Sequence, residues 1–236
     1  MKIRIGHLYY NILNLYGTHS EVTIIKKQLE FQGIEVIIDQ KEINEDINFN
    51  DYDFIYLGAS TDYNMFMCLD DLKKYRNDIR DYLKNKVIYS SGNSINMFGK
   101  SIDDIEALQI FDFKSTKLNK RIISEVVLKH KDINEPIIGV FNQSYILDSN
   151  NNYIFKLIYD IENYPISFEG YENKGFIGTN IIGPIVCRNP YFTEYLVNKI
   201  IKSKYPNFII SEYNLKEEKD AYNYFMYRFH NSIRIK

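Results

Sequence analysis

Apolar residues in the first hundred positions fall into short β-rich runs separated by longer stretches with helical spacing. Met1-Lys2-Ile3-Arg4-Ile5 alternates, and the apolar run Ile3 to Leu8 predicts a first strand. Thr18-x-x-Glu21 has the form of a capping box, and Ile24, Ile25, Leu29 and Phe31 follow at near-helical spacing until Gly33. Ile34 to Ile38 and Asp53 to Gly58 predict the second and third strands. A helix is expected over Asn64 to Leu83, a fourth strand over Val87 to Ser91, and a short helical stretch to Gly99. Such alternation argues an α/β fold around a parallel sheet.

The pattern then changes. Ile122 to Leu128, Ile137 to Val140, Ser144 to Leu147 and Tyr153 to Ile158 read as short strands, with Asn/Asp-rich turns such as Asp148 to Asn152. They predict antiparallel hairpins extending the sheet. Phe176 to Thr179 is a further strand. Asn189-Pro190 starts a helix whose apolar stripe is Phe192, Leu196 and Ile200. Lys216 to Ile233 reads as an amphipathic helix with Ala221, Phe225 and Phe229 on the docking side. With no Pro/Gly/Ser-rich linker, residues 1–205 are expected to form one domain, with 206–236 a helical extension packed on it.

Composition narrows the function without naming it. The 236 residues are 45% hydrophobic and 25% charged, with a formal net charge of −2. That balance gives no reason to expect nucleic acid as a partner. No apolar run is long enough to span a bilayer, the start does not read as a signal peptide, and a cytoplasmic location is expected. Cys68 and Cys187 are too far apart in sequence to suggest a disulfide framework or a metal site, and no cofactor motif is present.

Four segments in order carry a family resemblance. They are Gly6-His-Leu-Tyr-Tyr-Asn-Ile-Leu-Asn-Leu-Tyr-Gly17, Tyr56-Leu-Gly-Ala-Ser-Thr-Asp62, Ser91-Gly-Asn-Ser-Ile-Asn-Met-Phe-Gly99, and Ile177-Gly-Thr-Asn-Ile-Ile-Gly-Pro-Ile185 followed by Asn189-Pro190. Glu169-Gly170 and Ile138-Gly-Val-Phe-Asn-Gln143 match more weakly. Together they resemble the cobyric acid synthase-like class I glutamine amidotransferases, and among these most closely the glutaminase subunits of lipid II isoglutaminyl synthase. The resemblance implies a flavodoxin-like three-layer fold, mostly parallel with an antiparallel extension. It also implies a Mur ligase-like synthetase as partner, to which such subunits supply ammonia.

Glutamine hydrolysis in that class requires a thiolate on a strand-to-helix turn and a histidine base. Aligned on the family motifs, the nucleophile position is Gly92 and the base position is Ile182. Neither side chain can attack a carbonyl or move a proton, so no catalytic residue is assigned. Ala59, Ser60 and Thr61 stand where the family has glycines and a glutamine, which narrows the space on the oxyanion side. The expectation is a catalytically inactive relative acting as a structural or regulatory subunit.

Two alternatives stay open. The altered pocket could take a small polar metabolite, with Ser60, Thr61, Asp62, Ser91, Asn93, Asn142 and Gln143 as its polar lining. A hydrolase using Ser90, Ser91 or Cys187 would need a histidine, and the chain offers His7, His19, His130 and His230. Cys68, among Met65, Phe66 and Leu69, reads as a core thiol.

Overall fold

The computed structural model describes residues 1–149, 152–159 and 165–233. Strands and helices alternate as β1 (Lys2–Leu8), α1 (His19–Phe31), β2 (Glu35–Lys41), β3 (Phe54–Leu57), α2 (Asp62–Leu72), α3 (Arg76–Tyr82) and β4 (Val87–Ser91). Short strands β5 (Ser101–Ile102) and β6 (Ile105–Glu106) precede the long hairpin of β7 (Lys114–His130) and β8 (Ile137–Asp148). Then come β9 (Phe155–Leu157), β10 (Phe168–Glu169), β11 (Tyr171–Asn173) and β12 (Phe176–Thr179). Helices α4 (Ile185–Arg188), α5 (Pro190–Lys204) and α6 (Lys216–Ile233) close the chain.

The main sheet has the order β11-β12-β4-β3-β1-β2, parallel throughout except for antiparallel β11 at one edge. Alternation along its strands serves two faces. Ile3, Ile5, Phe54, Tyr56 and Tyr89 pack in one apolar cluster with Ile25 and Leu29 of α1 and Phe192, Leu196 and Ile200 of α5. Ile55, Leu57 and Ile88 enter a second cluster with Met65, Cys68 and Leu69 of α2. Both faces are covered, which is why β3 and the start of β4 read as continuous apolar runs. Cys68 is buried, as a core thiol. The second sheet has the order β10-β9-β7-β5-β6 with β8 beside β7, and it supplies the antiparallel part.

Several expectations are revised. The helix expected over Asn64 to Leu83 breaks into α2 and α3 around a 3-10 turn, Lys73–Tyr75. Tyr75 leaves helical geometry (φ −102°, ψ 14°), and its hydroxyl accepts the Ile47 N–H at 3.0 Å. The capping box does not form. Thr18 turns its hydroxyl to the Leu13 carbonyl, and Glu21 is buried, accepting the Val186 N–H at 2.7 Å. The strands expected at Ile137 to Val140 and Ser144 to Leu147 are one strand, because Phe141 and Gln143 continue the inward alternation. Asn150 and Asn151 of the Asn-rich turn, and residues 234–236 of the tail, lie outside the described residues.

In α6 the docking stripe is rotated from the expected one. Tyr222 and Met226 are buried against Val127 and Ile138, with Phe225 and Phe229 at the margin, while Ala221 is exposed. Before α6, the extended stretch 211–214 is held by two glutamines of α1. The Gln28 amide accepts from Asn214 N–H at 3.0 Å and donates to its carbonyl at 2.8 Å. Gln32 accepts from Ser211 N–H at 2.9 Å and donates to the Glu212 carbonyl at 3.1 Å.

Candidate functional site

The turn after β4 carries the position where the sequence motif would place a nucleophile. Ser91 is extended, and Gly92 opens a 3-10 stretch with φ 72°. A side chain there would sit in the strained left-handed region, which glycine enters freely. A Cβ built on Gly92 would stand 2.4 Å from the Cβ of Ala59 and 3.5 Å from Cγ2 of Ile182. Positions 59, 92 and 182 therefore meet at one point, and Ala59 occupies the room a residue-92 side chain would need. Gly58 is fixed by a different closeness: a Cβ there would lie 2.3 Å from the Leu13 carbonyl, because the 9–18 loop crosses against it.

Beside the turn is a cavity of about 20 Å³, room for about one water molecule. Ser60, Asp62, Asn93, Asn142 and Gln143 line it, as the motif reading placed them, together with Ile182. Thr61 and Ser91 do not. Thr61 caps α2, its hydroxyl accepting the Asn64 N–H at 3.2 Å, and the Ser91 hydroxyl is 2.7 Å from that of Tyr56 in the core. Ser60 donates its N–H to Asn93 Oδ1 at 2.9 Å, tying the two turns together. Gln143 is buried, and neither end of its amide has a hydrogen-bond partner among the described residues. The same holds for Asn96 Oδ1.

The outer rim was not fully foreseen. Tyr16, in a left-handed conformation (φ 61°), accepts a hydrogen bond from Asn142 Nδ2 at 2.9 Å. Arg121 Nη1 donates to Asn142 Oδ1 at 3.0 Å and to its carbonyl at 3.2 Å. Arg121 escaped the sequence reading because the strand was started at Ile122. In fact β7 begins at Lys114 and carries a register shift between Lys117 and Ile122. Period-2 alternation cannot be followed across that irregularity.

The segment from Asn180 to Ile182 is buried, with Ile182 only 7% exposed. Two buried carboxyls hold its ends. Glu169 accepts from Thr179 Oγ1 at 2.7 Å and Asn180 N–H at 2.6 Å, while Glu21 accepts from Val186 N–H. Burial pushes the Glu169 carboxyl up to about 7 and that of Glu21 up to about 8.

The other candidate groups make local contacts. The Ser90 hydroxyl is 2.7 Å from that of Ser94. Cys187 donates to the Ser20 carbonyl at 3.4 Å, and burial pushes its thiol up to about 11, so it is protonated at neutral pH. His7 packs against His19 and Tyr56, and burial, then His19, pushes its imidazole down to about 3. Among the described residues no group of three or more His, Cys, Asp or Glu is placed to hold a metal ion. No helix there is long and apolar enough to cross a membrane.

A parallel sheet covered on both faces, with a left-handed strand-to-helix turn at its carboxyl edge, is the architecture of class I glutamine amidotransferases, and comparison of structures agrees. A chain of the PurLQS structure from Thermotoga maritima superposes with a TM-score of 0.56 at 14% identity, covering 86% of this chain and 97% of that one. A solved glutamine amidotransferase does so with a TM-score of 0.56 at 10% identity, covering 83% and 98%. By sequence, the chain is homologous to subunit GatD of lipid II isoglutaminyl synthase (glutamine-hydrolyzing). It is 26% identical to the Streptococcus pneumoniae protein over 214 residues, 86% of this chain and 82% of the relative. It is 21% identical to the Staphylococcus aureus protein over 210 residues, covering 86% of each. No family model matches the chain.

Proposed function

We propose that this chain is a catalytically inactive counterpart of the GatD subunits, kept as a structural or regulatory partner of an ATP-dependent, Mur ligase-like synthetase. The observation that carries the reading is the meeting of Ala59, Gly92 and Ile182. The turn keeps its shape, but a methyl group fills the nucleophile's place and an aliphatic side chain stands where the base would be. Losing either member of a nucleophile–base pair that acts as a unit can cost about a millionfold in rate. The small size of the cavity favours this role over that of a metabolite receptor, since a glutamine-sized ligand would need the rim at Tyr16, Asn142 and Arg121 to open.

Homology to a protein named as a subunit supports the partnership. So does the surface beside the site, where Tyr63 is 74% exposed and where Leu15, whose N–H donates to the Ala59 carbonyl at 2.9 Å, and the rim residue Tyr16 also expose their side chains. Aromatic and apolar groups of this kind suit the core of an interface. The test has two arms. Purified protein, alone and with a co-expressed synthetase from the same organism, should release no ammonia from glutamine above buffer. Tagged protein should co-elute with that synthetase as a complex of fixed stoichiometry. Glutamine turnover that survives mutation of Ser90, Ser91 and Cys187 would refute the inactive assignment, and separate elution would refute the partnership.

A further inference from the structure

The end of the main sheet opposite the turn at Gly92 has a different chemistry. β4 separates the two by roughly 13 Å, four residue steps of about 3.3 Å. Below its amino-terminal edge lies a hollow of about 290 Å³ lined by Lys84, Lys86, Lys174, Lys199 and Lys202. This concentration of cations stands in a chain whose net charge is −2.

The partners of these lysines divide them into two groups. Lys84 pairs with Asp81 at 2.6 Å, and Lys199 with Glu172 at 2.6 Å. Glu172 is already shared with Lys131 at 2.6 Å and accepts from the Tyr195 hydroxyl at 2.6 Å. Lys86, Lys174 and Lys202 have no carboxylate within salt-bridge distance among the described residues. Lys86 instead donates to the carbonyls of Tyr52 at 2.6 Å and Asn50 at 3.1 Å. Lys202 donates to the carbonyls of Phe208 at 2.8 Å and Pro206 at 3.0 Å. Carbonyl dipoles fix an ammonium group in place but bring no formal negative charge. Two positioned cations and the exposed Lys174 therefore line one concavity with no carboxylate among the described residues paired to any of them. Asp53 and Asp51 act on Lys86 only from beyond salt-bridge distance, and the field of the three lysines adds there.

We propose that this hollow is a binding site for a small multivalent oxyanion, such as a phosphate-bearing metabolite. Lys86 and Lys202 are pre-oriented contacts and Lys174, exposed on the β11–β12 turn, is the adjustable one. The last turn of α5 also points carbonyl groups toward this end, but Lys202 and Lys204 already answer that dipole. The concavity suits a single compact anion better than an extended polyanion.

The experiment is titration of the full chain with pyrophosphate, inorganic phosphate and citrate at constant ionic strength, followed by calorimetry and melting temperature, with chloride as the baseline. Saturable binding with pyrophosphate tighter than phosphate is expected. Lys174→Gln, which removes no described hydrogen bond, should weaken it about tenfold, the order expected for one charged contact. Lys86→Gln should weaken it further, and Lys26→Gln on α1 should leave it unchanged. A stronger response to citrate would assign a polycarboxylate as the source of the same chemistry. Identical isotherms for wild type and Lys174→Gln, or a response that follows ionic strength whatever the valence, would mean an adventitious ion only and overturn the site.

Discussion

Ile182 donates its backbone N–H to the carbonyl of Val140 at 3.0 Å, an isolated antiparallel bridge between the last loop of the main sheet and β8 of the second. The bridge fixes the backbone at 182 whatever its side chain. Position 182 is thus held facing Gly92 by main-chain bonding, and an aliphatic residue there leaves the surrounding architecture intact.

Restoring the nucleophile should therefore meet steric resistance before chemical failure. Gly92→Cys should cost about 2–4 kcal/mol, from a left-handed non-glycine residue and overpacking against Ala59, read by chemical denaturation. Ala59→Gly in the same chain should recover part of that loss. Ile182→His should then lower the thiol pKa, seen by thiolate absorbance, and only the triple variant should label with a glutamine-analogue electrophile. A single Gly92→Cys protein as reactive as the triple would mean that 182 is not the base position.

Probes of the proposed interface must respect burial. Tyr63→Asp, on an exposed side chain, should leave the melting temperature within a degree or two while weakening co-elution with the synthetase. Ile182→Glu would place a charge in the core and should destabilise the fold by on the order of 3–5 kcal/mol. It reports on folding, and partner loss in that variant would carry no information about the surface.

Stability should depend on pH in a definite direction. Glu21 and Glu169 rise from 4.5 to about 8 and about 7, so the folded chain retains protons that the unfolded chain releases. Their contribution is full below 4.5 and is lost as pH rises through 8. Burial lowers His7 and His130 from 6.5 to about 3 and about 4, a contribution present above 6.5 and lost as pH falls through those values. Between 4.5 and 6.5 the two effects oppose each other. From pH 6.5 to 8 the carboxyls act alone, and the melting temperature should fall. Glu21→Gln, which keeps an acceptor for Val186, should flatten that limb. An unchanged slope would assign the fall to other groups.

Removing residues 206–236 tests whether the tail belongs to the folding unit. Leu215, Tyr222 and Met226 are buried, and losing them should cost on the order of 5 kcal/mol at about 1.5–3 kcal/mol per buried side chain. Dye binding to newly exposed Val127 and Ile138 should accompany the loss. A truncated chain that melts at the wild-type temperature would make the tail an independent appendage.

Strand β3 and the start of β4 were legible because they are apolar on both faces, β1 because its apolar residues alternate, and Gly33 and Pro190 mark helix boundaries by backbone chemistry alone. The junction of 59, 92 and 182 was legible only through motif order, since nothing in local pattern brings those positions together. What escaped reading were residues whose partners are remote in sequence. Glu21 looked like a cap and is a buried acceptor for Val186; Tyr75 looked helical and answers Ile47. Arg121 lay beyond a register shift that alternation cannot cross. A helix stripe such as that of α6 is uncertain by one residue, about 100° of rotation, when both Ala221 and Tyr222 are available to face inward.

The grip of Gln28 and Gln32 on residues 211–214 has a consequence for how this chain can vary. Each amide pairs with main-chain N–H and carbonyl groups, which nearly every residue type offers alike, and Gln32 Oε1 accepts in addition from the Ser211 hydroxyl at 2.9 Å. The course of the tail across α1 is therefore set largely by two side chains on the helix, while Ser211 and Tyr213, whose hydroxyl donates to Asn198 Oδ1 at 2.6 Å, also act through their own side chains. Substitutions at Glu212 and Asn214 should be tolerated so long as proline does not remove the donor at 214, whereas one change at Gln28 or Gln32 would misdirect the whole segment leading into α6.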